Sequence, residues 1–111
     1  MRFKDKVVVV TGSSKGIGRH LAVGYATEGA KVVVNYKSDL EGAKKTSDKI
    51  KALGSECLVI KSDVSETKAV KDMFEQIISE YDKVDVLVNN AGIYEDSTVW
   101  KMSEESWDNV I

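Results

Sequence analysis

The stretch from Lys6 to His20, KVVVVTGSSKGIGRH, constrains this chain more than any other. Val7 to Val10 run without polar alternation, the pattern of a strand covered on both faces. Thr11-Gly12 ends the run, Ser13-Ser14-Lys15 form a short loop, and Gly16-Ile17-Gly18 lead into helix-forming sequence. A helix N-terminus exposes unpaired N–H groups and the positive end of its dipole, so this junction suits a phosphate. Gly12 can take positive φ, and Gly16 and Gly18 carry no Cβ to obstruct a pyrophosphate or close helix–strand packing. The spacing is G-x-x-x-G-x-G, not the G-x-G-x-x-G of the general dinucleotide fingerprint. Glycine turns also occur in purely structural β–α joints, so the rest of the chain has to decide between the two readings.

Apolar residues recur at helical spacing from Gly16 to about Glu28, with Ile17, Leu21, Ala22, Tyr25 and Ala26 on one stripe and Gly29 as the stop. Val32 to Val34 reads as a second strand ending in Asn35-Tyr36-Lys37. Ser38 to Glu41 fits a capping box for a second helix whose stripe is Leu40, Ala43, Ser47, Ile50 and Leu53. Leu58 to Ile60 is a third strand, ending at Lys61 to Val64. Ser65 is expected to cap a third helix carrying Val70, Phe74, Ile77, Ile78 and Tyr81. Val84 to Val88 is a fourth strand, followed by Asn89-Asn90-Ala91-Gly92. Residues 94–102 read as irregular, and a fourth helix is expected from Ser103.

Strand and helix alternate, which implies an α/β fold: a Rossmann-like, doubly wound parallel sheet. Right-handed crossovers put the first two helices on one face. Pairing of the fourth strand beside the first then gives the order 3-2-1-4, with a switch point between strands one and four. The Gly12–Gly18 turn and the Asn89–Gly92 turn both open at that crevice. Residues 1–111 are expected to form one dinucleotide-binding domain.

Composition narrows the partners. The chain has 111 residues and a net charge of −2, so no bulk positive field invites nucleic acid or anionic lipid. Cys57 is the single cysteine, which excludes an internal disulfide. No apolar run is long enough to span a bilayer, and the basic start MRFKDK is followed by no signal-peptide core. A cytoplasmic protein is the expectation.

These residues resemble the short-chain dehydrogenase/reductase family. Thr11 to Gly18 matches its T-G-x-x-x-G-[IL]-G cofactor turn, and Asn89 to Gly92 matches its N-N-A-G signature. Trp107 to Ile111 resembles the start of the helix that enters the family's dimer interface. Within the family the chain is most similar to the 3-oxoacyl-carrier-protein reductase and glucose 1-dehydrogenase group. The resemblance implies hydride transfer between NAD(P)(H) and a carbonyl or alcohol carbon.

It also implies site residues. Gly12, Ser14, Lys15, Ile17 and Gly18 would meet the phosphates, with Ser13 and Gly16 in the same cofactor-binding turn, and Tyr36 and Lys37 would meet the adenosine ribose. Asp63, Val64, Asn90, Ala91 and Gly92 would line the adenine and its ribose. Tyr36 stands where an acidic residue would favour NAD. Lys15 and Lys37 therefore point to NADP, with NAD possible; the competing reading is two solvated surface lysines. Asp63 either bonds adenine or caps the third helix, and Asn90 either holds a ribose or orders its turn. His20 reads as an ordinary polar helix position and Cys57 as a small buried hydrophobe.

Two departures from the family matter. Its members are about twice as long, and its catalytic Ser and Tyr-x-x-x-Lys have no counterpart here: Tyr25, Tyr36, Tyr81 and Tyr94 are followed four residues on by Gly29, Leu40, Asp85 and Thr98. The chain is thus expected to be an amino-terminal part with a cofactor half-site, inactive alone. A missing fifth strand would leave the edge Val86-Leu87-Val88 bare, so homo-oligomerisation through that edge is expected. The competing classes are a non-catalytic nucleotide-binding or interaction module and a methyltransferase-like sheet, the latter disfavoured by Tyr36-Lys37.

Overall fold

The computed structural model describes residues 2–90 and the backbone of a strand at 98–101. Ala91, Gly92, Trp107 and the helix expected from Ser103 lie outside the described residues. The elements are β1 (Val7–Val10), α1 (Gly16–Thr27), β2 (Lys31–Tyr36), α2 (Leu40–Ala52), β3 (Cys57–Lys61), α3 (Thr67–Tyr81), β4 (Val86–Asn89) and β5 (Thr98–Lys101). They build a sheet in the order β3-β2-β1-β4-β5. The first four strands are parallel and follow the expected 3-2-1-4 order.

The unalternating valines explain why β1 sits at the centre. All four are 0% exposed. Val8 and Val10 pack with Ala22, Ala26, Ala43 and Ile50 on the α1/α2 face, while Val7 and Val9 pack with Met73, Phe74 and Ile77 on the α3 face. Fully burying such a side chain contributes about 1.5–3 kcal/mol, so this one strand supplies a sizeable share of the core. At the lower end of the sheet the Asp85 carboxylate accepts from the Val7 N–H at 2.8 Å, and the Asp85 N–H donates to the Val7 carbonyl at 2.9 Å. Together they hold β4 in register beside β1.

The sequence reading needs four corrections. First, α2 is capped by Asp39, whose carboxylate accepts from the Gly42 N–H at 2.9 Å, and not by Ser38. Second, Leu40 and Leu53 stay largely exposed because they are the first helical residue and the C-cap; Gly42, Ala43, Thr46, Ser47 and Ile50 make the buried face. Third, α3 begins at Thr67, with Glu66 at the cap position, because Ser65 is taken up in a turn centred on Asp63. Fourth, β4 does not present a bare edge. Residues 98–101 pair with it antiparallel, Leu87 opposite Trp100 and Val88 opposite Val99. Thr98-Val99-Trp100 is β-branched and aromatic sequence that suits a strand, and β4 offered it unpaired N–H and C=O groups. The expected self-association through the β4 edge therefore loses its structural basis. No helix among the described residues is long and apolar enough to cross a membrane.

Candidate nucleotide-binding site

The turn after β1 is built by tertiary contacts more than by its glycines. Gly12 (φ 61°) and Gly16 (φ 59°) occupy the left-handed region, which favours glycine. Gly18 is fixed by space: a Cβ there would collide with the Gly12 carbonyl oxygen and lie 2.8 Å from Asn90 Nδ2. The start of α1 thus packs directly on the turn. Lys15 holds the N-cap position with extended backbone and no side-chain cap, and no acidic residue stands in the first helical turn. Lys15, Gly16 and Ile17 are exposed, Ile17 at 70%. Those uncapped first-turn N–H groups, the open rim and the lysine fit an anionic ligand.

Ser13 and Ser14 face the other way. Ser13 is 0% exposed and its groups are engaged within the protein. Its hydroxyl donates to the Val10 carbonyl at 2.8 Å and accepts from the Asn35 N–H at 3.1 Å. Its own N–H donates to the Asn35 carbonyl at 2.9 Å. Ser13 is the inner anchor of the turn, and the exposed rim falls to Lys15 through Ile17.

The crevice between β1 and β4 brings the second turn to the first. The Asn90 side-chain amide donates to the Gly12 carbonyl at 3.2 Å, and the Asn90 N–H donates to Thr11 Oγ1 at 2.8 Å. The Thr11 N–H donates to the Val88 carbonyl at 3.0 Å, carrying the β1–β4 pairing one step beyond the strands. Asn90 therefore orders the turn, and its partners tie the two loops together.

Asn35 does the same from β2. It is 1% exposed; its Oδ1 accepts from the Gly12 N–H at 3.0 Å and its Nδ2 donates to the Ser62 carbonyl at 3.2 Å. One buried amide thus links the turns after β1 and β3. Above it lies a cleft of about 310 Å³ lined by Gly12, Asn35, Lys37, Asp63, Val64 and Asn89, among others. Lys37 and Asp63 face each other there, Nζ to Oδ2 at 3.7 Å. Asp63 Oδ1 accepts from the Ser65 hydroxyl at 2.6 Å and the Ser65 N–H at 3.0 Å. These bonds, led by the Ser65 hydroxyl and helped by the Lys37 charge, hold the Asp63 carboxyl below its ordinary value. Tyr36 is half-buried at the end of β2, and its carbonyl accepts from the Ser62 N–H at 2.9 Å.

His20 lies on the exposed side of α1. Cys57 is half-buried, and burial pushes its thiol up, so it is a poor nucleophile. Among the described residues no group of His, Cys, Asp and Glu could hold a metal ion. The sequence reading missed Asn35, Arg19 and Thr46 as site builders. Asn35, next to Tyr36 at the end of a strand, carried no motif, and neither Arg19 nor Thr46 belonged to one.

The family model for short chain dehydrogenases matches residues 6–111. The chain belongs to the short-chain dehydrogenase family. Among similar proteins is the 3-oxoacyl-[acyl-carrier-protein] reductase FabG of Staphylococcus epidermidis, 43% identical over 107 residues, covering 96% of this chain and 44% of the relative. The FabG of Staphylococcus aureus strain Mu50 is 42% identical over 106 residues, covering 96% and 43%. The chain thus spans less than half the length of these curated relatives. A short chain dehydrogenase from Burkholderia cenocepacia in complex with NADP superposes with a TM-score of 0.80 at 35% identity, covering 86% of this chain and 39% of that one. A metagenomic short-chain oxidoreductase, also in complex with NADP, gives 0.79 at 33% identity, covering 84% and 42%.

Proposed function

We propose that this chain is the cofactor-binding part of a short-chain oxidoreductase that moves hydride between a nicotinamide and a carbonyl or alcohol carbon, with NADP(H) preferred over NAD(H). The observation that carries the proposal is the bond of Asn90 to Gly12, which joins the residue after β4 to the glycine turn after β1 at the carboxyl ends of the two strands. When bound, the nicotinamide ring supplies or accepts the hydride. The residues of this chain bind and orient. The α1 N-terminus and Lys15 would hold the pyrophosphate, and Lys37 would meet a 2′-phosphate beside Tyr36. Asp63 and Val64 would line the adenine, and Asn90, Ala91 and Gly92 its ribose. The relatives solved with NADP support the cofactor choice.

A second reading has a specific observation behind it. No tyrosine in the sequence has a lysine four residues later, so the family's proton-transfer pair is not supplied by these residues. On this reading the chain by itself is a nucleotide-binding module without turnover. Titrating NADPH by calorimetry and then assaying reduction of a 3-oxoacyl thioester separates the readings. We expect saturable binding, which both readings require; turnover then favours the oxidoreductase and its absence the module. Absence of NADPH and NADH binding would overturn both.

A further inference from the structure

We propose that Arg19 is a positioning residue of the phosphate turn: its guanidinium bolts the turn to α2 and thereby aims the turn's N–H groups at the dinucleotide. The proposal rests on the reading of that turn as a phosphate site.

Arg19 lies in the first turn of α1, where a cation is disfavoured by the helix dipole. It is nevertheless half-buried and held by three acceptors. Nη2 donates to the carbonyls of Ser14 at 2.5 Å and Gly42 at 3.1 Å, and Nε donates to Thr46 Oγ1 at 2.9 Å. Thr46 is 0% exposed and passes the contact on, its hydroxyl donating to the Ser13 carbonyl at 2.8 Å. The carbonyls of Ser13 and Ser14 are therefore both held from the α2 side.

Peptide planarity turns this into an orientation. In a trans peptide the C=O of one residue points opposite to the N–H of the next. Holding the Ser13 and Ser14 carbonyls toward α2 directs the N–H groups of Ser14 and Lys15 away from it. The arrangement leaves no slack: α2 approaches so closely that a Cβ on Gly42 would strike the Ser14 carbonyl oxygen. The fork needs arginine. Lysine is a point charge that cannot hold the same acceptors with fixed geometry.

A residue that merely staples α1 to α2 would affect every ligand alike; a positioning residue affects the phosphate turn alone. The test compares wild type, Arg19→Met and Arg19→Lys in affinity for NADPH and for adenosine 2′-monophosphate, which occupies only the ribose end. Amide chemical shifts of the turn are compared without ligand. Arg19→Met is expected to weaken NADPH by about tenfold or more, the scale of losing charge-assisted hydrogen bonds. Its affinity for adenosine 2′-monophosphate should stay within about twofold, and the Ser14 and Lys15 amide resonances should shift or broaden. Arg19→Lys should fall between. If Arg19→Met does not fold, Thr46→Val, which frees the Ser13 carbonyl and removes one of the three Arg19 acceptors, should show the same pattern at smaller amplitude. Unchanged NADPH affinity, an equal loss for both ligands, or unchanged Ser14 and Lys15 amide shifts would overturn the proposal. A wild type that binds neither ligand would instead overturn the reading of the turn itself.

Discussion

The side chain of Asn90 reaches the carbonyl of Gly12 across 78 residues of sequence, at 3.2 Å. That bond joins the turn after β4 to the turn after β1. Asn90→Ala should remove it and cost about 1 kcal/mol of stability, the usual net worth of one hydrogen bond. NADPH affinity should drop about fivefold or more, because the crevice is held less closely. Urea denaturation and calorimetric titration check the two parts separately.

Gly18 packs against the same carbonyl. Gly18→Ala places a methyl group into the Gly12 oxygen and against Asn90 Nδ2. Backbone cannot yield as a flexible side chain does, so a loss of about 1–3 kcal/mol is expected, as for other overpacked sites. Gly24→Ala is the control. Nothing lies within 4 Å of a Cβ there, and an alanine in a helix interior should be neutral or mildly stabilising.

Asn35 satisfies two backbone groups on two different turns. Asn35→Leu leaves the Gly12 N–H and the Ser62 carbonyl without that partner. An unsatisfied buried group costs about 1–3 kcal/mol, so a total of about 2–4 kcal/mol is expected from the urea midpoint.

The proposed contact of Lys37 with a 2′-phosphate makes a prediction about the preference between the two dinucleotides. Lys37→Ala should lower the ratio of NADPH to NADH affinity about tenfold, through NADPH and not through NADH, as loss of one charge-assisted phosphate contact requires. An unchanged ratio would mean that Lys37 is a solvated surface lysine.

Tyr81 provides a pH-dependent readout remote from the site. Burial, helped by the charge of Glu56, pushes its hydroxyl up to about 12 from an ordinary 10. A raised acid is held neutral by the fold. Its contribution to stability is therefore complete below about pH 10 and is lost as pH climbs from there toward 12. Phenolate absorbance should show a late-titrating component, and Tyr81→Phe should remove it.

Much of this was legible in the sequence, and the remainder has physical reasons. The valine run, the glycine turn and helical periodicity are local patterns, so β1, α1 and the 3-2-1-4 order could be read directly. Right-handed crossovers then left little freedom for the helices. The starts of α2 and α3 were misplaced because Asp39, next to Ser38, takes the cap of α2, and because Ser65 is held by Asp63 instead of capping α3. The β5 strand was missed because its apolar run is short and is stabilised by pairing with β4. Asn35 and Arg19 could not be found from pattern at all. Their partners lie 23 or 27 residues away in sequence, and their importance comes from which backbone groups the fold brings within reach. Ser13 shows the converse: the motif placed it in the cofactor-binding turn, while the fold turns it inward.

The most direct test is an amide NMR titration of this chain with NADPH. A dinucleotide bridging the switch point should shift the amides of Gly12, Lys15, Gly16 and Ile17 after β1, Lys37 and Asp63 at the ribose end, and Asn90 after β4, all with one dissociation constant. Shifts confined to one of these turns, or centred on the opposite end of the sheet around Lys31 and Glu56, would contradict binding at the crevice.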